Sequence, residues 1–231
     1  MSVQLVIFDI DGTLSDTKKV EDKCFMTAFH KAFGLDISQA NWDDFPHVTD
    51  WAITETIISR AWERLPTAEE YERIIGLFEK ELISELEREP GQFKEIQGAS
   101  AFFHLLQGQE AFQVGIATGS WSRSARIKLK AIGIDQTPVA FAHSDLHKSR
   151  ADITRAAIGQ AQELTKRPFD QVVYFGDGSW DYRTCKELDI PFIGIDVKND
   201  GKLSNLGAQH VFQHFSQQEA ILELLDTLRS Q

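Results

Sequence analysis

The sequence predicts an α/β protein: a doubly wound parallel sheet interrupted by an inserted all-helical unit. Three observations carry this expectation. An apolar run at residues 5–8 (LVIF) reads as a short buried strand and stops at a carboxylate, Asp9. Apolar residues then recur at helical spacing, with no strand candidate, as far as Pro90-Gly91. Beyond Gly91, strand-like runs alternate with helix-length segments. That alternation is the pattern of right-handed crossovers in a parallel sheet covered on both faces.

In chain order, residues 17–33 carry Val20, Phe25, Phe29 and Phe33 on one stripe and end at Gly34. Residues 49–63 place Trp51, Ile53, Ile57, Ile58 and Trp62 likewise, and 68–88 align Tyr71, Ile74, Ile75, Phe78 and Leu82. These three segments define the expected helical insert, 15–91, with the α/β unit formed by 1–14 and 92–231. A helix over 99–108 leads to a strand at 112–117, and a helix at 122–132 to a weak strand near 138–142. Helix 149–165 precedes strand 171–176, and helix 179–188 precedes strand 191–196. A short strand at 210–212 is followed by a helix at 217–229 with Ile221, Leu224, Leu225 and Leu228 on one face. Residues 198–208, rich in Asn, Gly and Lys, read as the one loose connection.

The 231 residues suit one α/β domain with a smaller insert, and 16 Phe and 5 Trp are ample for a core. A net charge of −11 disfavours nonspecific binding to nucleic acid or an anionic membrane. Cys24 and Cys185 lie far apart and match no metal or redox spacing, so buried thiols in a reducing compartment are expected. The chain opens directly on a strand, without a secretory n-region and h-region, and no apolar run is long enough to span a membrane. A cytoplasmic protein, monomer or homodimer, is the expectation.

The chemistry sits at the strand ends. Asp9 is followed two residues on by Asp11, and Gly12 then turns the chain. Two acids at the carboxyl end of a buried strand are costly unless a cation or substrate uses them, and that end is where open α/β sheets bind ligands. An EF-hand loop would need its glycine and glutamate where Leu14 and Val20 stand, so calcium-loop geometry is excluded. Strand 112–117 ends in Thr118-Gly119-Ser120, either a plain helix cap or a hydroxyl and backbone N–H groups for a phosphate oxygen. Strand 171–176 runs into Gly176-Asp177-Gly178-Ser179-Trp180-Asp181.

DIDGT at 9–13, the 118–120 turn and GDGSWD at 176–181, in this order, resemble the first, second and fourth motifs of the haloacid dehalogenase-like hydrolases. The resemblance implies a Rossmann-like core and, from the insert's position, the helical cap of the phosphoglycolate phosphatase and β-phosphoglucomutase branch. It implies a Mg²⁺-dependent phosphatase acting on a small phosphorylated metabolite. In that scheme Asp9 is the nucleophile and Asp11 the acid and base. Thr118, with Gly12, Gly119 and Ser120, holds the phosphoryl group. Asp9, Asp177, Asp181 and Asp11, the last through its backbone carbonyl, surround the metal. The second acid, Asp11, favours a phosphate ester or anhydride over the halide and phosphonate branches. The third motif's cation is ambiguous: aligning on Asp152-Ile153 puts Lys148 in the lysine position, although both family prolines are missing, and Arg150 could serve instead. Lys148 is preferred. Thr49 or Asp50 is expected to cap the helix near Trp51, while His47 and Thr49 are candidates to face the leaving group. Trp121 and Trp180 read as packing between core and insert. A phosphomutase, or a non-catalytic protein of the same fold, would share these motifs.

Overall fold

The computed structural model describes residues 3–135 and 139–230. Its sheet has six parallel strands in the order β3-β2-β1-β4-β5-β6. They are β1 (Gln4–Phe8), β2 (Phe112–Ala117), β3 (Ala140–Ala142), β4 (Gln171–Gly176), β5 (Phe192–Ile195) and β6 (His210–Phe212). Of the weak strand expected near 138–142, residue 138 lies outside the described residues and 140–142 pair with β2.

The period-two pattern divides the core. Val6 and Phe8 of β1, with Val173 and Phe175 of β4, face α4 (Ala99–Gln107), α5 (Ser122–Ala131) and α9 (Gln218–Arg229). Leu5 and Ile7, with Tyr174, face α6 (Arg150–Thr165), α7 (Ser179–Leu188) and α8 (Lys202–Asn205). Both faces are covered, which is why these strands read as continuous apolar runs. Phe8 and Phe175 stack at 4.9 Å and fix the two central strands side by side. The α8 turn falls inside the segment expected to be loose. Its four residues are held by Leu203, which is buried under β5, an anchor too short to register as a period.

Between β1 and β2 the chain forms α1 (Lys18–Phe33), α2 (Asp50–Trp62) and α3 (Ala68–Arg88), with 3₁₀ turns at Trp42–Asp44 and Pro90–Gln92. Among the described residues no strand lies in this stretch. Thr67 caps α3, its side chain accepting from Glu70 N while Glu70 returns the bond to Thr67 N. The three helices enclose their own apolar cluster around Phe25, Phe29, Ile58, Ile74, Phe78 and Leu82. Trp121, from the turn before α5, is fully buried in that cluster, 5.9 Å from Phe25 and 6.2 Å from Phe78.

The order places β1 between β2 and β4, where the winding direction reverses. Phe8 is in register with Ile116 on one side and Phe175 on the other. The residues following all three strands therefore emerge at one edge, beneath the helical layer.

Candidate active site

Asp9 continues β1, its N–H donating to Phe175 O at 2.9 Å, and is only 2% exposed. Gly12 turns the chain away with φ +87°, where a side chain is strained. A Cβ at Gly12 would also meet Asp177 Oδ2 at 2.1 Å. The bare turn lets the ends of β1 and β4 converge. Oxygens of Asp9, Asp177 and Asp181 lie within 4.8 Å of one another. Asp181, buried in the first turn of α7, accepts from Gly178 N at 3.0 Å and from Tyr174 OH at 3.4 Å.

Two cations attend the three carboxylates. Arg150 Nη1 donates to Asp9 Oδ1 at 3.0 Å and to Asp181 Oδ1 at 3.1 Å, while its Nε donates to Val48 O at 3.0 Å. Lys18 Nζ lies 3.2 Å from Asp177 Oδ2. Burial pushes Asp177 up to about 6 against the pull of Lys18, with Asp9 adding repulsion. Burial likewise raises Asp181 to about 8 despite Arg150, with Asp9 and Asp177 reinforcing it. Three carboxylates crowd together beside these two bases, and Asp177 Oδ1 is buried without a hydrogen-bond partner. An oxygen set of this kind suits a hard divalent cation.

The remaining sequence candidates are placed as follows. Thr118 is buried, and its Oγ1 accepts from Ser120 N at 3.1 Å, leaving its own proton to donate. It does not cap α5: the N-cap is Trp121, and Asp145 takes the Ser122 N–H at 2.7 Å. Asp11 is not among the clustered carboxylates. Its side chain accepts from Thr17 at 2.7 Å, from Ser120 Oγ at 3.1 Å and from Lys128 Nζ. Lys148, preferred over Arg150 from the sequence, is not brought to the cluster; its ammonium pairs with Glu55 at 2.6 Å and is half exposed. The register of α6 decides this, since Arg150 is its first residue and projects under β1 whereas Lys148 precedes the helix. Thr49 caps α2, accepting from Ala52 N at 3.2 Å, and donates to Lys148 O at 2.8 Å. Asp50 instead receives Trp121 N at 2.8 Å. His47 is exposed.

A cavity of about 80 Å³ opens between the strand ends and the helical layer. It is lined by Asp11, Lys18, Glu21, Asp50, Gly119, Ser120, Arg150 and Trp180, with Phe25, Trp42 and Ile53 on the helical side. Lys18, Glu21 and Lys128 were absent from the sequence reading of the site. Lys128 carried a signal: with Ala125, Leu129 and Ile132 it occupies the buried i, i+3, i+4, i+7 stripe of α5, where a lysine is out of place.

A family model described as haloacid dehalogenase-like hydrolase matches residues 6–195. The chain belongs to this family. The family match thus spans all the motif residues named above, from Asp9 to Asp181. A search of curated proteins found no match. Among solved structures, this haloacid dehalogenase-like hydrolase superposes on a hydrolase from Pseudomonas syringae with TM-score 0.68 and 22% identity, covering 99% of each chain. A protein described as a phosphoglycolate phosphatase from Lactobacillus plantarum gives TM-score 0.64 at 19% identity, over 97% of this chain and 100% of the other. One described as a β-phosphoglucomutase from Bacteroides vulgatus gives 0.69 at 17%, over 100% and 91%. At these identities the likeness is one of fold. Among the described residues no helix is long and apolar enough to cross a membrane.

Proposed function

We propose that this hydrolase is a Mg²⁺-dependent phosphatase that cleaves a small phosphorylated metabolite through an aspartyl-phosphate. The observation that carries the reading is the convergence of Asp9, Asp177 and Asp181 within 4.8 Å, with Arg150 on Asp9. Asp9, Asp177 and Asp181, with the Asp11 carbonyl, would hold the ion, which when bound neutralises charge between carboxylate and phosphate. Arg150 orients Asp9 and presents its planar fork to the phosphoryl oxygens, taking the cationic role in place of Lys148. Thr118 donates its free hydroxyl proton to a further oxygen. Asp9 attacks phosphorus in line. Asp11 gives the leaving oxygen its proton and next takes one from the water that hydrolyses the intermediate. The layer α1–α3, residues 15–91, acts as a cap that closes the cavity over the leaving group and excludes water.

The test is phosphate release from p-nitrophenyl phosphate. Asp9→Asn is expected to abolish it, as is chelation of divalent metal. Full activity of Asp9→Asn would reject the nucleophile. A phosphomutase would use the same core residues, and one structural neighbour is described as such. Conversion of a hexose phosphate to its isomer, in place of phosphate release, would favour that reading.

A further inference from the structure

Lys128 is the one lysine whose side chain is wholly buried among the described salt bridges. Its ammonium meets Asp11 from the β1 turn and Glu21 from α1, and donates to Ser120 Oγ at 2.9 Å. Ser120 Oγ in turn lies 3.1 Å from both Asp11 Oδ2 and Glu21 Oε1. Lys128, Asp11, Ser120 and Glu21, from three separate stretches, thus close a ring of four polar groups. Stability does not account for it. Burying an ammonium and two carboxylates forfeits several kcal/mol of hydration per ion, and apolar replacements of such clusters are often neutral or stabilising. Ala125, Leu129 and Ile132 beside it are apolar, so an aliphatic residue at 128 would have continued that run.

The ring has a directional consequence for Asp11. Thr17 holds Oδ1, while Lys128 and Ser120 hold Oδ2, so the carboxyl group is pinned on both oxygens at the mouth of the cavity. We propose that Lys128 is a positioning residue for proton transfer: its buried ammonium, with Ser120 and Thr17, holds the Asp11 carboxyl in place at the mouth of the cavity. The proposal rests on the reading of Asp11 as the acid. In that step the Asp11 O–H bond breaks, the leaving oxygen gains the proton as its bond to phosphorus breaks, and Asp9 gains the phosphoryl group. Glu21 accepts from the same ammonium, so helix α1 supports the same group.

The test compares two probes by kcat/KM, which reads only the steps through departure of the leaving group. Glycerol 2-phosphate releases a strongly basic alkoxide that needs the proton; p-nitrophenyl phosphate releases a stable phenolate that does not. Lys128→Met is expected to lower kcat/KM for glycerol 2-phosphate by about 10²-fold and for p-nitrophenyl phosphate by less than about 5-fold, the same asymmetry expected of Asp11→Asn. Because each ratio comes from one preparation, it is independent of the folded fraction. Lys128→Gln/Glu21→Gln, which removes both charges together, provides a second variant and is expected to show the same asymmetry. Equal losses on both probes in the Lys128 variants, with asymmetry kept in Asp11→Asn, would overturn the proposal alone. Equal losses in Asp11→Asn, or a wild type inactive on both probes, would overturn the reading beneath it.

Discussion

Asp50 shows how a single residue carries the tension of a closed site. It begins α2, accepts Trp121 N and lines the cavity. Burial pushes its carboxyl up to about 7, with Lys128 and the Trp121 N–H pulling it back and Asp11 pushing further. The folded value lies above the unfolded one, so between about pH 4 and 7 the folded state holds a proton that the unfolded state has lost. Stability therefore falls as pH rises through that window and stays reduced above it. Asp50→Asn keeps the acceptor for Trp121 N and removes the charge. Its melting temperature should exceed wild type by a few degrees at pH 8, the gap narrowing toward pH 4; a constant gap in melts across that range would contradict the assignment. At this scale Asp9, Thr118, Asp177 and Asp181 were legible because each directly follows or closely trails a readable strand. Lys128 showed only as a lysine out of place on a buried stripe and Glu21 not at all, since their meaning comes from partners 117 and 107 positions apart in sequence.

Elements place these side chains through turns with no spare room. A Cβ at Gly119, in the β2–α5 turn, would meet Val48 O and Arg150 Nη2 at 2.7 Å each. Gly119 O also accepts Asp50 N at 2.8 Å, so this turn is tied to the start of α2. Gly119→Ala must displace either the guanidinium or the helical layer. It should destabilise the protein by about 1–3 kcal/mol and lower kcat/KM at least about tenfold, measured by denaturant unfolding and phosphate release. An unchanged kcat/KM would show that Arg150 has freedom to move. The longer helices were readable from their stripes, since one buried face imposes the period. The 3₁₀ turn Trp42–Asp44 was not, because it is held by the Asn41 side chain and by tertiary bonds such as Asp43 to Ser179 at 2.9 Å. Lys148 against Arg150 turned on where α6 begins, a boundary that local pattern resolves poorly.

Across the whole molecule, part of the acidic excess behind the −11 charge gathers in the triad of Asp9, Asp177 and Asp181. A divalent ion that binds the folded state alone stabilises it by mass action, by about 2.7 kcal/mol at a hundredfold excess over Kd. Millimolar Mg²⁺ should raise the melting temperature of wild type by several degrees and that of Asp177→Ala little or not at all. Equal shifts in both proteins would place the ion elsewhere. The alternation of strands and helices foretold the sheet, yet its order came from long crossovers that no local pattern records.

Arg150 answers to both layers at once, with Nε on the Val48 carbonyl and Nη1 on Asp9. Were the helices to lift from the sheet, the guanidinium would lose its Val48 acceptor and with it one of the bonds that fix it beside Asp9. On the proposed reading, admission of a ligand and arming of Asp9 would be geared together, the reactive pose reassembling as the roof settles.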